Sequence, residues 1–359
     1  MGRLSRRRRQ IIASGALIRV VLVFLIIPTI HRDLFHPFIQ NWWKDPTFDP
    51  WTKWLAEGGR SDAFPYGLTL GLPMFLLGGL SLGASTLIAG LSAAALDTFI
   101  SLRLARLVKR DWTLLLWALG PLPIFVTYVH GQTDLFLAFF LSASLGMLFE
   151  RRWTSAGVLL ALAGGVKLSA LLVAPFALVF FLDNPRFRRA ATRFSVAFLC
   201  TSIVLQIPAL YSPGYRAMAI RSPEGVRLLD YRLVLRDDYA LLVLPVVYLG
   251  LLYGLWRLGR ALAGSLVTYS AVAVMALAVV TPGSVGWYLW SFPVLVFLID
   301  RLQPRVLILA FAFELLVVAH YVRRVSLGDL RIGSVSLSPS FISLTTHQDC
   351  LLYTSPSPR

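Results

Sequence analysis

The stretch that decides the fold is residues 112–149, WTLLLWALGPLPIFVTYVHGQTDLFLAFFLSASLGMLF. Apolar residues run from Trp112 to Val129, a polar turn ends at Asp134, and apolar residues resume at Leu135. Runs of this kind approach the roughly 20 residues that cross a bilayer. The stretch predicts two membrane helices joined by a short polar turn. Polar groups are costly at such a position, so the turn is a candidate functional site.

A second apolar run, residues 156–182, contains a single cation, Lys167, directly after Ala163-Gly164-Gly165-Val166. The glycine pair and Pro175 predict a break near Gly165–Ser169 that divides the run into two short crossings. This break would place Lys167 on the external side, beside Asp134.

Composition indicates a polytopic membrane protein, because 57% of residues are hydrophobic and only 14% are charged. A soluble domain carries about 25% charged residues. Continuous Leu-rich runs favour a helical bundle over a barrel, whose strands alternate. The net charge of +16 resides in arginines of short connections, as the positive-inside rule expects, and does not indicate nucleic-acid binding. The two cysteines, Cys200 and Cys350, form no disulfide framework and no metal-ligand spacing.

We predict an all-α protein of about ten or eleven transmembrane helices, with Arg6 to Arg9 cytoplasmic. Residues 1–330 form one domain with long external loops at about 31–64 and 211–238. The piece Leu68–Leu82 is short and rich in Gly and Pro, which predicts an interfacial or re-entrant segment. Residues 331–359 differ in composition, and their last residues resemble a translated sequencing adapter, so they are excluded from the fold argument.

Besides Lys167, three charged residues lie inside apolar runs. Arg19 either contacts an acid elsewhere in the bundle, or snorkels or pairs structurally. Asp97 and Glu314 are interpreted as structural partners or cavity-lining groups. His130 and His320 show no metal-ligand spacing.

The predicted external face collects acids, cations and aromatic residues. Its members are Asp49, Asp134, Lys167, the arginines of the second loop, Trp51, Tyr66, Trp287 and Tyr288. This inventory fits transfer of a sugar from a lipid phosphate. A carboxylate would take the proton of the attacking hydroxyl, and cations would stabilise the departing phosphate. No phosphate-binding Gly loop, zinc motif or nucleophile elbow is present in the sequence.

The order of these features resembles the GT-C glycosyltransferases, in particular the polyprenol-phosphate-mannose-dependent mannosyltransferases. The resemblance is carried by Gly131-Gln132-Thr133-Asp134 opening a span, Val166-Lys167 with Pro175, Asp49-Pro50-Trp51 and Phe64-Pro65-Tyr66-Gly67. It covers roughly residues 11–293. The resemblance implies a bacterial inner-membrane enzyme that transfers a hexose, with mannose as the expected sugar, to a lipid-linked or glycan acceptor on the external face. The anomeric configuration of the sugar would be inverted. The first loop lacks the family's frequent paired acids, which leaves Asp33 and Asp45 as rival bases.

The resemblance implies catalytic roles for Asp49, as base, and Asp134, which orients the acceptor or a cation. The substrate-binding candidates are Lys167, Gln132, Arg216, Arg221, Arg227, Arg232, Tyr66, Trp287 and Tyr288. Simpler interpretations stay open: Asp49 caps a turn, Asp134 caps the helix beginning at Leu135, and Lys167 snorkels. The basic second loop binds either an anionic ligand or lipid headgroups.

Two other functions remain open at this point. A transporter or flippase of a lipid-linked or anionic solute would use the same charges, although the chain shows no internal repeat. A non-catalytic subunit of a membrane assembly is the third possibility. No cofactor is predicted, and a divalent cation requirement stays open. The expected partners are the polyprenyl-phosphate sugar donor, the acceptor and membrane lipids.

Overall fold

The computed structural model describes residues 4–222, 232–236, 239–259, 262–280, 284–322, 329–332 and 335–337. Helices account for most of this part of the chain, which confirms the predicted all-α class. The α-helices are α1 Arg6–Leu25, α2 His36–Lys44, α3 Pro50–Ala56, α4 Leu68–Phe75, α5 Leu82–Leu107, α6 Asp111–Ala118, α7 Pro121–Ile124, α8 Asp134–Phe149, α9 Trp153–Val166, α10 Ala174–Leu182, α11 Arg188–Leu205, α12 Ile207–Tyr211, α13 Pro213–Tyr215, α14 Val243–Arg257, α15 Ala263–Val280, α16 Phe292–Ile299 and α17 Pro304–Val322. Short π-helical turns lie at His31–Phe35, Phe125–His130 and Arg216–Ile220, and 3₁₀ turns at Leu168–Val173, Pro185–Phe187 and Val285–Leu289.

Three helical stretches in the described residues are long and apolar enough to cross a membrane: Leu82–Leu107, Asp111–His130 and Pro304–Val322. A fourth candidate is the bent pair Leu168–Leu182 and Pro185–Leu205, whose halves meet at 113°. Helices α8, α9, α14 and most of α15 are apolar but shorter. The larger number of spans stays a prediction. Helix α4 has 8 residues, too short to cross a ~30 Å hydrocarbon core.

Charged connections between the helices contact one another. Arg8 of α1 donates to Asp111 at 2.7 Å, and Asp300 accepts hydrogen bonds from the backbone of Lys109 and Arg110. The polar turn at Gly131–Asp134 lies beside Ser284 and Pro28. The side of the membrane on which each group lies stays a prediction.

The break predicted within residues 156–182 is confirmed and falls at Lys167. Helix α9 ends at Val166, and Lys167 is extended at φ −150° and ψ 130° before the 3₁₀ turn begins. Both glycines of the pair are needed for close packing. A Cβ at Gly164 would collide with Leu171, and one at Gly165 would collide with Thr69.

A second break separates α6 from α7 at Gly120-Pro121. Pro121 has no N–H, so the Trp117 carbonyl loses its helical donor. Arg19 supplies a replacement, donating to the carbonyls of Trp117 at 2.9 Å and Ala118 at 2.5 Å. On the other side of the break, Glu314 accepts a hydrogen bond from the Leu122 amide at 3.2 Å. Both residues therefore stabilise the break. Arg19 also contacts an acid elsewhere in the bundle, Asp97, which is one of the alternatives that the sequence left open.

The first long loop is a packed aromatic unit rather than an irregular connection. Trp42 and Trp51 are buried in it, and the rings of Phe38 and Phe64 stack with centroids 5.0 Å apart. Aromatic side chains bury large areas, so these rings hold α2 and α3 against the chain at residues 64–66. The second loop is described only in part, and Arg227 lies outside the described residues.

Two small antiparallel sheets were not predicted. Strand β1, Ile26–Ile27, pairs with β4, Asp329–Ile332, which pairs with β5, Val335–Leu337. Strand β2, Arg232–Arg236, pairs with β3, Tyr239–Leu242. The first part of the atypical tail thus joins the helical domain beside the end of α1, and residues 338–359 lie outside the described ranges.

Candidate functional site

A buried ion pair joins the two segments that the sequence singled out. The Lys167 Nζ atom lies 3.5 Å from Asp134 Oδ1, and Asp134 is fully buried while the Lys167 side chain is 12% exposed. Asp134 occupies the first turn of α8, where the helix dipole favours a negative charge. The predicted proximity of Lys167 and Asp134 is confirmed.

Aromatic rings surround the Lys167 ammonium. Its Nζ lies 5.4 Å from the ring centroid of Tyr66, 5.9 Å from Trp287 and 5.4 Å from Trp290. All three rings are buried. Cations are attracted to ring faces at these distances, and the effect strengthens when water is excluded. The Asp134 carboxylate and an aromatic cage thus stabilise the Lys167 charge.

Trp290 also fixes the carboxylate of this pair. Its indole Nε1–H donates to Asp134 Oδ1 at 2.5 Å. Trp287 lies in the 3₁₀ turn Val285–Leu289 and Trp290 is the C-cap residue that follows it; their rings stack with centroids 5.1 Å apart. Residues i and i+3 of a 3₁₀ helix share a face, which places both rings on the Lys167 side.

Tyr288 faces another direction for the same geometric reason. Its ring lies against Phe313 and Tyr321 of α17. The sequence analysis predicted Trp287 and Tyr288 as substrate-binding residues and did not include Trp290. The signal that could have found Trp290 is the i, i+3 spacing of the two tryptophans.

The polar turn before α8 adds an amide to the site. Gln132 Nε2 donates to Ser284 Oγ, which ties the turn to the segment before the 3₁₀ turn of Trp287. Gly286 is required between them, because a Cβ there would collide with Gln132 Oε1 and Asp134 Oδ2. Neither of those two oxygens has a hydrogen-bond partner within the described ranges. The cluster therefore offers two buried acceptors to a ligand.

Asp134 is not the helix cap, and that interpretation is wrong. Thr133 is the N-cap of α8, and no side-chain hydrogen bond caps the helix. The Asp134 carboxylate is directed to Trp290 and Lys167 instead. Tertiary contacts, rather than the local helix start, engage this residue.

Asp49 does cap a helix. Its Oδ1 accepts hydrogen bonds from the Thr52 amide at 3.1 Å and from Ser212 Oγ at 2.5 Å. The carboxylate is half-buried, so one side of it stays accessible. Its catalytic role remains a prediction. The rival acids are engaged at the surface, Asp33 with Arg32 and Asp45 with Lys53.

Tyr215 connects the Asp49 region to the Lys167 region. Its amide donates to Ser212 Oγ at 2.8 Å, and its hydroxyl donates to Gln206 at 3.0 Å. A Cβ at Gly67 would lie 3.0 Å from that hydroxyl, and the Gly67 amide donates to the Val166 carbonyl at 3.2 Å. Burial raises the pKa of Tyr215 to about 12, against the opposing hydrogen bond to Gln206, so the phenol stays neutral.

The predicted phosphate-binding arginines of the second loop lie in different surroundings. Arg216 donates to the carbonyls of Ala209 at 2.8 Å and Leu210 at 3.2 Å, at the end of α12. Arg221 and Arg232 are exposed. Their role in binding a substrate stays a prediction.

Within the described ranges, no group of three or more His, Cys, Asp or Glu residues could hold a metal ion. His130 is buried against Phe125, with ring centroids 6.1 Å apart.

No family model matches the chain, and no curated protein or solved structure is detectably similar to it.

Proposed function

We propose that the protein is a polytopic membrane glycosyltransferase of the GT-C type. It transfers a hexose, with mannose as the expected sugar, from a polyprenyl phosphate to a lipid-linked or glycan acceptor on the external face, and the anomeric configuration is inverted. The observation that carries the proposal is Lys167, held beside fully buried Asp134 inside an aromatic cage. A partly exposed ammonium at such a site suits an anionic lipid phosphate, and aromatic faces suit a sugar or a prenyl chain.

The reaction needs a base, an anomeric electrophile and a stabilised leaving group. The Asp49 carboxylate takes the proton of an acceptor hydroxyl while that oxygen attacks the anomeric carbon. The bond from the anomeric carbon to the phosphate oxygen breaks, and polyprenyl phosphate departs with the electron pair. Lys167 stabilises the charge on that oxygen.

Asp134 positions Lys167 in this scheme. Its carboxylate accepts the Trp290 N–H and faces the Lys167 ammonium, so the cation keeps one location while substrate enters. Its second oxygen is available to orient an acceptor hydroxyl. This assignment keeps the role predicted from the sequence.

The test is transfer of radiolabelled mannose from undecaprenyl-phosphate-mannose to a lipid extract, by membranes that contain this chain. Asp49→Asn keeps an N-cap, so folding is preserved while transfer falls by about 10²–10⁴-fold. Lys167→Met lowers transfer by about 10²–10³-fold. Asp62→Asn is the matched control, because Asp62 pairs with Arg60 at the surface of the same loop.

Unchanged transfer by folded Asp49→Asn protein would remove Asp49 from the role of base. Asp33→Asn and Asp45→Asn then identify which rival acid replaces it. Absence of transfer from every polyprenyl-phosphate hexose, with wild-type protein shown to be folded, would overturn the proposal.

One observation favours the alternative of a transporter or flippase. The extended Lys167 between α9 and the following 3₁₀ turn resembles the broken helices that bind solutes in transporters. Uptake of a lipid-linked or anionic sugar into vesicles without any sugar transfer would support this function instead.

A further inference from the structure

A basic surface lies where three separate parts of the chain meet, and it contains none of the residues assigned to sugar transfer. These parts are the start of α1, the connection between α5 and α6, and the connection between α16 and α17. Arg8 donates to the carbonyls of Ala105 at 2.6 Å and Lys109 at 2.7 Å, and Arg110 donates to the Leu302 carbonyl at 2.8 Å. The exposed cations of these parts are Arg6, Arg7, Arg9, Arg106, Lys109, Arg301 and Arg305.

The acids of the same three parts are engaged by the protein itself. Asp300 is buried and accepts hydrogen bonds from two backbone amides and from the Thr113 hydroxyl. Asp111 pairs with half-buried Arg8 at 2.7 Å and lies 4.0 Å from Arg7. The basic surface therefore keeps an excess of positive charge, which attracts an anion.

The basic surface lies at the ends of helices that are able to cross a membrane. Each of the three long apolar stretches has one end here, at Leu107, Asp111 or Pro304. Trp112 is 54% exposed, and the Arg7 guanidinium lies 4.6 Å from its ring centroid. Tryptophan at such a position is typical of the interface between bilayer and water. The exposed cations are therefore at the right depth to contact lipid headgroups.

An apolar groove adjoins the basic surface, between α5, α8, α15 and α16, with Leu104 and Phe297 among its lining residues. The Arg301 guanidinium lies 4.1 Å from the ring centroid of Phe297, so a cation of the basic surface stands beside the groove. The two charged lining residues, Arg103 and Glu150, pair with each other at 3.1 Å. The cavity in the groove is about 90 Å³. Benzene occupies a cavity of about 150 Å³, so this one accepts a few carbons of an acyl chain and excludes a headgroup.

We infer that the basic surface binds the phosphate of an anionic phospholipid, with part of one acyl chain in the groove beside Phe297. Arginine donates to phosphate oxygens through its planar fork, and basic groups next to a membrane helix attract anionic lipids. The groove favours a lipid over a free phosphate, because only a lipid has an apolar chain to place there. The inference is independent of the sugar transfer proposed for the Lys167 site.

The probe is phosphatidylglycerol with a diazirine in one acyl chain, incorporated with the full-length protein into phosphatidylcholine nanodiscs. Diazirine phosphatidylcholine with the same chains is the comparison lipid. After irradiation, mass spectrometry locates the labelled residues. Labelling near Leu104 and Phe297 is expected to be about tenfold stronger with phosphatidylglycerol. It is expected to fall when the NaCl concentration rises from about 0.05 M to about 0.5 M, because salt screens exposed charges.

A pair of arginine substitutions tests the basic surface. Arg301→Gln with Arg305→Gln removes two exposed cations, so labelling by phosphatidylglycerol falls by about tenfold. Arg186→Gln with Arg189→Gln, in the connection between α10 and α11 and at the start of α11, is the matched control. It removes the same charge from exposed positions, and Arg186 also lies over a phenylalanine ring, that of Phe187. The control is expected to keep the wild-type labelling.

A second substitution tests the groove. Ala143→Phe, in its lining, fills the space and removes labelling at Leu104. Ala95→Phe, at an exposed position of α5, is expected to leave that labelling in place. Thermal unfolding shows that each variant is folded before it is labelled.

Three results would overturn the inference. Equal labelling by the two lipids, or an equal loss in the two arginine pairs, would show that general charge attraction alone acts here. Displacement of the lipid by excess inorganic phosphate would identify a site for a free anion instead. Unchanged labelling in folded Ala143→Phe protein would show that the acyl chain lies outside the groove.

Discussion

Two buried ion pairs lie in the helical bundle, Arg19–Asp97 and Lys167–Asp134. They differ in the exposure of the cation and in the groups that surround it. Arg19 is 2% exposed and donates to Asp97 and to three backbone carbonyls, those of Gly15, Trp117 and Ala118. The Lys167 side chain is 12% exposed and faces the Asp134 carboxylate and three aromatic rings. The Arg19 side chain is almost completely enclosed by the protein, while part of the Lys167 side chain reaches the surface. A buried charge is thus structural in one place and suited to a ligand in the other.

The surroundings of the two carboxylates strengthen this contrast. Asp97 receives the Tyr128 hydroxyl at 3.1 Å as well as Arg19, deep between α1, α5 and the π-helical turn of Tyr128. Asp134 lies at the first turn of α8, next to the polar turn. The second pair is the more accessible one through Lys167, whose side chain is 12% exposed.

The largest expected effect comes from breaking the structural pair. Arg19→Met leaves Asp97 buried without a cation, and lowers the free energy of unfolding by about 3–5 kcal/mol. Denaturant titration of the purified protein in detergent measures it. Arg19→Met with Asp97→Leu recovers part of the loss, because no lone charge stays buried. A loss below about 1 kcal/mol for the single variant would contradict a structural role for Arg19.

The second prediction concerns the hydrogen bond that Trp290 donates to Asp134. Trp290→Phe removes the indole donor to the carboxylate and costs about 1.5–3 kcal/mol, the range for a hydrogen bond to a charged group. Trp287→Phe is the matched control, since the Trp287 Nε1–H has no partner within the described ranges. Thermal unfolding of both variants gives the difference. Equal destabilisation would show that packing alone holds Trp290.

The third and smallest effect concerns the close approach at Gly286. Gly286→Ala pushes against Gln132 and Asp134 and costs about 1–3 kcal/mol, with a parallel fall in any transfer activity. Gly250→Ala in α14 is the control, because no atom lies within 4 Å of a Cβ there. The control should be neutral or stabilising by up to about 1 kcal/mol. If Gly286→Ala and Gly250→Ala change the stability equally, the site accommodates a Cβ at residue 286, and the close approach of Gln132 and Asp134 does not require glycine there.

Sequence reasoning located part of the site because the signals were local. The break at Lys167 follows from Gly164-Gly165, and the polar turn before α8 stands out between two apolar runs. The proximity of Lys167 to Asp134 followed from combining the break with the expected direction of each run. Trp290 was not predicted as a site residue, because its orientation depends on the 3₁₀ conformation of residues 285–289. Hydrophobic periodicity does not reveal that conformation.

The sequence alone determined the all-α class and the break at Lys167, since composition and the positions of glycine and proline act through local propensity. Only the tertiary structure decided the partner of Arg19 and the indole donor that holds Asp134. Arg19 pairs with Asp97 across 78 residues of chain, and Trp290 reaches Asp134 across 156. Such pairings depend on how the helices pack. The positions and crossing angles of the helix axes decide which side chains come within contact distance, and sequence spacing does not give these positions.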